Sequence, residues 1–465
     1  MITDLGGAGL LKVTIGSLPD EVLLEIFTFY VEKAGGKEGW ITLVHVCRGW
    51  RSIVFASPLR LDLRLHVERN AHVRELLDIW PAFPIEIFPL TSQEISKVTE
   101  NVIAALEHHD RVRRIIVWSF PIWEPKRFLE TMQYPFPALT HLELWNWLNG
   151  DEEAAVIPDS FLGGSAPLLQ TLTLTRVAFP ALPKLLLSAN HLVYLNIRDI
   201  AHAGYISPEV MVTSLSSMTQ LRHFTLEFDS PRSRPSRKSR SPPPMIRTTL
   251  PALTRFCFKG VSEYVEDIMA RIDAPHLHGI RISFFNQLIF DVPQLSQFVN
   301  RVERFNGLSA MVSFFGSRAS VDLSSEIYGR LLLEISCRQA DWQLSSVAQF
   351  CGMSLNPITT SENLTVRANL GNPLYFGQFD IDHNQWEELL YPFTNVKNLY
   401  LAEDVGLHIA TALQALVGES VTQMLPNLQS LFIKKLQPSG PTREAAESFV
   451  AARQRFGRPI AIQSW

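Results

Sequence analysis

A short hydrophobic motif, L-x-x-L-x-L with apolar substitutions, recurs along most of this chain and restricts its fold more than any other feature. The second and third apolar positions are two residues apart, a spacing that points both side chains to one face of a β-strand. One such strand cannot bury its apolar face alone, whereas stacked neighbours can bury a continuous core. The nine copies in the sequence begin at Val112, Leu139, Leu169, Leu192, Leu221, Leu253, Leu277, Val396 and Leu428.

The distance between successive copies indicates the kind of repeat. The first seven copies begin 27, 30, 23, 29, 32 and 24 residues apart, and the last two are 32 residues apart. Leucine-rich repeats contain one strand in about 20–29 residues, so this array is at the long, irregular end of that range. The sequence therefore predicts an α/β (α+β) fold, with an irregular leucine-rich-repeat solenoid over residues 67–465. An unrelated α/β domain with coincidental strands remains an alternative.

Helical segments are expected between these strands, where they would form the outer layer. They are predicted at residues 92–108, 180–188, 208–217, 261–271, 293–305 and 407–417. Residues 313–392 fit the repeat poorly, although 330–337 and 362–370 are typical of strands and 343–353 of a helix. We interpret this part as a degenerate stretch of the array rather than a break in it.

A helical pattern precedes the array, over residues 17–66. Ser17 and Asp20 have the spacing of a capping box, which favours a helix start. A wide apolar stripe follows, and a second helical stretch ends at Ser57, because the residue before a proline disfavours helix. Two or three short helices bury little apolar surface alone. We therefore expect part of that surface to meet a partner or the next domain, and residues 1–16 to be a flexible leader.

Three sequence elements of this module occur in the order of an F-box. They are Leu18-Pro19, Ile26-Phe27 and Val46-Cys47-x-x-Trp50, and together they resemble that family. The resemblance implies a three-helix module that docks onto the Skp-type adaptor of cullin–RING (SCF-type) ubiquitin ligases. The adaptor-binding residues that it implies are Leu18, Pro19, Leu23, Ile26, Phe27, Leu43, Val46, Cys47 and Trp50. In departure from the family pattern, the connection over residues 31–39 is several residues longer than usual, and Arg60 occupies the place of a common second tryptophan.

The array adds to this resemblance. Trp80-Pro81-x-x-Pro84-Ile85 and residues 104–112, together with 393–401, 425–428, 449–453 and 459–460, are similar to a large fungal group of F-box/leucine-rich-repeat proteins. That similarity covers most of the chain. It implies the architecture of an F-box-like module followed by a solenoid, and leaves the substrate unnamed.

One segment, residues 230–244, breaks the globular composition. It contains five basic residues, five prolines and five serines, and no hydrophobic residue, which predicts a disordered loop. A tolerated insertion is one interpretation. A nuclear-import or phosphate-binding patch, whose serines would change its charge on phosphorylation, is the other.

The sequence offers little support for catalysis, a metal or a cofactor. His108-His109-Asp110 is typical of a solvated helix end, and His276-x-His278 would share one strand face without a third ligand. The four cysteines form no C-x-x-C pair and are typical of reduced thiols in a cytoplasmic or nuclear protein. With a net charge of −4 and no run of about 18 apolar residues, the chain is expected to bind neither nucleic acid nor membrane.

The interpretation that follows is a non-enzymatic adaptor with no cofactor. The module would bind a Skp-type adaptor and the array an unidentified protein substrate. The alternative is a structural interaction protein, unconnected to ubiquitin, in which the helices only cap the solenoid.

Overall fold

A computed structural model of the 465-residue chain describes most of the sequence. The described residues are 15, 18–33, 39–58, 60–67, 73–88, 95–118, 125–146, 156–235, 246–287, 290–325, 329–337, 340–369 and 383–465. Ser17, the predicted first cap, lies outside them, as do residues 1–14 of the predicted leader.

Helices occur throughout the described residues. They are α1 (Asp20–Lys33), α2 (Gly39–Val46), α3 (Arg48–Ala56), α4 (Val73–Ile79), α5 (Ile95–Leu106), α6 (Pro125–Thr131), α7 (Leu182–Leu186), α8 (Pro208–Leu215), α9 (Ser262–Met269), α10 (Pro293–Arg301), α11 (Ala340–Gly352), α12 (Asn356–Thr359), α13 (His383–Leu390), α14 (Glu403–Ala415), α15 (Ser420–Gln423) and α16 (Pro441–Arg455). Among the described residues, every helix is too short or too polar to cross a membrane.

The strands alternate with these helices. They are β1 (Leu65–Val67), β2 (Ile85–Ile87), β3 (Val112–Trp118), β4 (His141–Trp145), β5 (Thr171–Thr175), β6 (Tyr194–Ile200), β7 (His223–Phe228), β8 (Thr248–Thr249), β9 (Arg255–Gly260), β10 (Ile272–Asp273), β11 (Gly279–Phe284), β12 (Ser309–Phe315), β13 (Arg318–Ser324), β14 (Arg330–Ser336), β15 (Asn363–Asn369), β16 (Asn398–Leu401), β17 (Ser430–Ile433) and β18 (Ala461–Ser464).

Sixteen of these strands form one sheet, in the order β1-β2-β3-β4-β5-β6-β7-β9-β11-β14-β13-β12-β15-β16-β17-β18. All neighbours are parallel except the pairs that involve β13. The mixed α/β architecture of the prediction is confirmed, and the long parallel sheet resembles that of a leucine-rich-repeat solenoid. β8 and β10 form a separate parallel pair.

The first seven motif copies stack in register across this sheet, and so do the last two. Leu142 pairs with Leu172 and Leu144 with Leu174, and the same alignment continues through the neighbouring strands. The second apolar position forms one buried row of Ile115, Leu142, Leu172, Leu195, Phe224, Phe256 and Ile280. Full burial of one such side chain contributes about 1.5–3 kcal/mol, so the stacked rows are the main source of cohesion between repeats.

The interpretation of residues 313–392 requires a correction. β14 and β15 do continue the buried rows, since Leu331 pairs with Ile280 and Leu364 with Leu399. Between them in space, however, lie β13 and β12, and β13 runs antiparallel to both of its neighbours. The array is therefore interrupted by an antiparallel meander, β12–β14. Neither β12 nor β13 was predicted as a strand, and the alternation of apolar residues along β13 does not indicate strand direction.

The predicted second helix of the module is also divided. Cys47 has an extended backbone (φ −160°, ψ 168°), which ends α2 at Val46 and begins α3 at Arg48. Its sulfur accepts a hydrogen bond from the backbone N–H of Trp50 at 3.4 Å, and so caps α3. A thiol is an unusual N-cap, because serine, threonine, aspartate and asparagine are the preferred residues there.

The helical module packs against the beginning of the sheet. Trp40 is 1% exposed, and its ring centroid lies 4.7 Å from that of Trp80 and 5.5 Å from that of Phe83. Phe55 contacts the same two rings, at 5.9 and 5.6 Å. β1 straddles the predicted boundary at residues 66 and 67, and one apolar core joins the module to the array.

The basic segment is described only in its first six residues. Residues 230–235 form a turn in which Ser233 is fully buried, with its hydroxyl 3.5 Å from Nδ1 of His202. The rest of the predicted disordered loop, 236–244, lies outside the described residues.

Candidate functional site

Helix α1 has two apolar faces, and only one of them is buried. Leu23, Phe27 and Val31 pack into the core. Val22, Ile26, Phe29 and Tyr30 are exposed, and Phe29 keeps 72% of its surface in contact with solvent. These four are spaced i, i+4, i+7 and i+8, so at 100° per residue they form a second stripe beside the buried one. We call them the α1 stripe.

The structure divides the nine implied adaptor-binding residues into three groups. Leu23, Phe27 and Leu43 are buried and hold the module together. Leu18 and Trp50 are half-buried, with the Trp50 ring 4.7 Å from that of Phe27. The exposed ones are Pro19, Ile26, Val46 and Cys47.

The implied set omits three exposed residues, Val22, Phe29 and Tyr30. The spacing of the α1 stripe was visible in the sequence. Which of two adjacent apolar faces packs inward was not, because that choice depends on α2 and α3.

The accessibility of the cysteines gives a direct test of the module's structure. We expect N-ethylmaleimide to modify Cys47 first and Cys351 only after unfolding. Cys47 is exposed, whereas burial raises the pKa of the Cys257 and Cys351 thiols and so reduces their thiolate fraction. Mass spectrometry of a time course in native buffer would measure the order. Modification of Cys351 before Cys47 would contradict the packing.

The second candidate surface is the face of the sheet that carries the residues between the motif leucines, which we call the open face. Its first strands present aromatic rings, and Trp118 and Trp145 lie 6.1 Å apart between centroids. Its last strands do the same, with Tyr400 stacked on Phe432 at 4.5 Å and Trp465 edge-on at 5.7 Å. Charged side chains lie between them, mainly on β6, β7, β9, β11, β13 and β14.

Two buried carboxylates bind and orient arginine side chains in the charged part of the open face. Glu334 accepts hydrogen bonds from Nε of Arg281 at 2.8 Å and from the Ser283 hydroxyl at 2.9 Å. Asp322 accepts two bonds from Arg330, at 3.0 and 2.7 Å. The carboxylate side chains are 9% and 7% exposed, whereas Arg281 and Arg330 are 53% and 60% exposed. Each arginine is thus held by a buried carboxylate, and the part of its guanidinium that faces away from that carboxylate remains in solvent.

A second charged group lies on the neighbouring strands. Lys259 is 3.7 Å from Asp199, and Arg198 is 4.0 Å from Glu227. Burial raises the pKa of Glu227 above its usual range, and the nearby cations Arg198 and Lys259 oppose that shift. At these distances the pairs contribute little stability, since exposed ion pairs are typically worth about 0–1 kcal/mol.

The histidines that the sequence singled out do not form a site. His109 stacks on Tyr134 at 5.5 Å and is half-buried, beside the exposed Asp110. His276 and His278 precede β11 instead of sharing a strand face, so that expectation was wrong, and His278 contacts Arg304 through Nε2. Within the part of the chain that the structure describes, no three His, Cys, Asp or Glu side chains are grouped to hold a metal ion.

Comparison with known proteins gives little further information. No protein-family model matches the chain, and no curated protein matches it. Among solved structures, the leucine-rich repeat-containing protein LegL7 from Legionella pneumophila matches with 10% sequence identity and a TM-score of 0.25, over 83% of this chain and 97% of that chain. A superposition at this level carries no weight for fold or function.

Proposed function

We propose that this chain is a substrate-recognition adaptor of a cullin–RING ubiquitin ligase. The α1 stripe would bind a Skp-type adaptor, and the open face of the sheet would bind a protein substrate. One observation carries the proposal: the α1 stripe exposes four large apolar side chains on one helix, in a module that has the residue order of an F-box.

The physical case for a partner rests on that exposed surface. Single exposed apolar residues are common in soluble proteins, whereas contiguous apolar patches mark interaction sites. Large aromatic side chains such as Phe29 and Tyr30 are also the residues that carry most binding energy at interfaces. The function would then be positional, because tethering raises the effective concentration of a substrate lysine near the charged ubiquitin carrier.

A charge introduced into the α1 stripe tests this proposal. We expect Ile26→Asp to weaken copurification of a co-expressed Skp-type adaptor by at least about tenfold, because a buried unpaired carboxylate opposes binding. Ile26 is 41% exposed, so the variant should keep the melting temperature of the unmodified protein. Leu187→Asp, at a residue 53% exposed outside the module, is the matched control. Unimpaired capture of the adaptor by Ile26→Asp, or no capture by the unmodified protein, would refute the proposal.

The packing of Trp40 favours a second candidate function, in which the module caps the array and has no role in ubiquitin transfer. Its buried ring packs on Trp80 and Phe83, which precede β2, and so joins the module to the beginning of the array. The two functions use different residues of the module, the buried Trp40 and the exposed α1 stripe. They can therefore be tested separately.

A further inference from the structure

Three arginines surround a position on the open face that has no side chain. Gly279 begins β11, and in register with it lie Arg255 on β9 and Arg330 on β14. Arg281 follows two residues later on β11, on the same face of the sheet. A Cβ added at Gly279 would come no closer than 3.7 Å to Arg255 Cγ, so the position is open above the backbone. We call these four residues the arginine notch.

The charge around the notch is opposite in sign to that of the whole chain. The open face of β9, β11, β14 and β13 carries Arg255, Lys259, Arg281, Arg318 and Arg330 against Glu334 and Asp322. With Asp199, which lies 3.7 Å from Lys259, five cations and three carboxylates leave a local charge of +2, on a chain whose net charge is −4. Such a local excess attracts an anionic partner and favours its encounter.

The notch is also partly preorganised for binding. Arg281 and Arg330 are fixed by Glu334 and Asp322, so less side-chain entropy is lost when a ligand is bound. Arg255 is exposed and has no ion pair among the described residues. Guanidinium groups match the geometry of carboxylates in two-point hydrogen bonds, which a lysine ammonium cannot form.

We propose that the arginine notch binds an acidic, glutamate- or aspartate-rich segment of a protein partner. Such a segment is the part of a substrate that the open face would bind. The inference rests on the proposed function only because it treats that face as a substrate surface. Arg255 and Arg330 stand two strands apart, roughly 10 Å at the usual strand separation. An extended peptide rises about 3.3 Å per residue and turns every second side chain to the same face, so acidic side chains two or four residues apart, about 7 or 13 Å, would lie within reach of both arginines.

A nucleic-acid ligand fits the notch less well. The open face of β9, β11 and β14 carries Arg255, Cys257, Lys259, Gly279, Arg281, Ser283, Arg330, Leu332, Glu334 and Ser336, without an aromatic ring. Proteins that bind single strands stack bases on aromatic side chains, whereas the nearby rings of Phe285 and Phe315 already face Lys259 and Arg318.

The test is direct binding by the full-length protein, without the Skp-type adaptor. Fluorescence anisotropy would follow a labelled peptide with glutamate at every second position, and the same peptide with glutamine. A phosphoserine version and a labelled oligouridylate are the competing probes. The variants are Arg255→Glu, which reverses an unpaired charge, and Gly279→Glu, which places a carboxylate inside the notch. Gly279→Ala and Lys126→Glu, at an exposed residue on α6, are the controls.

The glutamate peptide should bind, and the glutamine peptide should not. Arg255→Glu and Gly279→Glu should each weaken binding by about tenfold or more, because like charges at an interface are strongly unfavourable. Gly279→Ala and Lys126→Glu should bind as the unmodified protein does, and added salt should weaken the complex. The proposal is overturned if the peptide does not bind, if Gly279→Glu binds normally, or if phosphoserine or oligouridylate probes bind more tightly than glutamate. Because the adaptor is absent, these outcomes are independent of the Ile26→Asp result.

Discussion

Replacing Arg453 with methionine is expected to lower the free energy of unfolding by about 3 kcal/mol or more. Arg453 is 1% exposed on α16, and its guanidinium donates to the carbonyl oxygens of Val421, Met424 and Leu425 at 3.1, 3.0 and 3.3 Å. Burial lowers the pKa of Arg453, and Arg458 acts in the same direction. Methionine fills similar space but leaves those carbonyls without a donor, and each buried unsatisfied group costs about 1–3 kcal/mol.

Urea denaturation, followed by circular dichroism and by hydrogen exchange of residues 416–455, would measure this loss. Arg455→Met is the matched control, because Arg455 is exposed on the same helix. Arg453→Lys should recover only part of the stability, since an ammonium can replace Nη1 but not the bonds from Nε to the Arg458 carbonyl and from Nη2 to the Pro426 carbonyl. An unchanged denaturation midpoint for Arg453→Met would show that these hydrogen bonds do not stabilise the end of the array.

Replacing Trp40 with alanine should cost about 3–5 kcal/mol, the usual penalty for removing a fully buried aromatic side chain. The change would remove the ring that joins α2 to Trp80 and Phe83. We therefore expect the module and the first strands to open together, with faster hydrogen exchange over β1 and β2.

Trp342→Ala provides the control, because Trp342 is 43% exposed and should lose little stability. The result also separates the two candidate functions. Under the capping function, Trp40→Ala alone should abolish the function of the protein, because it would destabilise the array that the module caps. Under the adaptor function, Ile26→Asp would lose the partner while the array remains stable. If Trp40→Ala melts like the unmodified protein, the module is not a cap.

The repeat strands could be predicted from sequence because each one carries its own signal. Leu142 and Leu144, for example, lie two apart and face the same core. The order and direction of the strands could not be predicted, because apolar residues alternate in the same way along parallel and antiparallel strands. The sequence showed only that residues 313–392 fit the repeat poorly, and the pattern of β13, with Ala319, Val321 and Leu323 inward, did not indicate its direction.

The candidate sites differ in the same respect, because one could be predicted from the sequence and the other could not. The residue order that resembles an F-box is local, so it could be found without the structure. The arginine notch could not, because Arg255, Gly279 and Arg330 are far apart in sequence and are brought together only by strand register. The burial of Leu23, Phe27 and Leu43 could not be predicted for a related reason: helical spacing places side chains on a helix, but packing with other helices decides which face is covered.

The meander β12–β14 restricts how many strands the chain can gain or lose at this place. Where every strand is parallel, one strand and its return segment form a complete unit, so an array of this kind can lengthen or shorten by single units. Inside the meander each strand reverses direction, so loss of one strand would leave the next strand running against the direction of the rest of the array. Loss of β12 and β13 together would instead leave β14 beside β11, where it already lies in register, with β15 next in line. At this place, strands can be added or removed only in pairs.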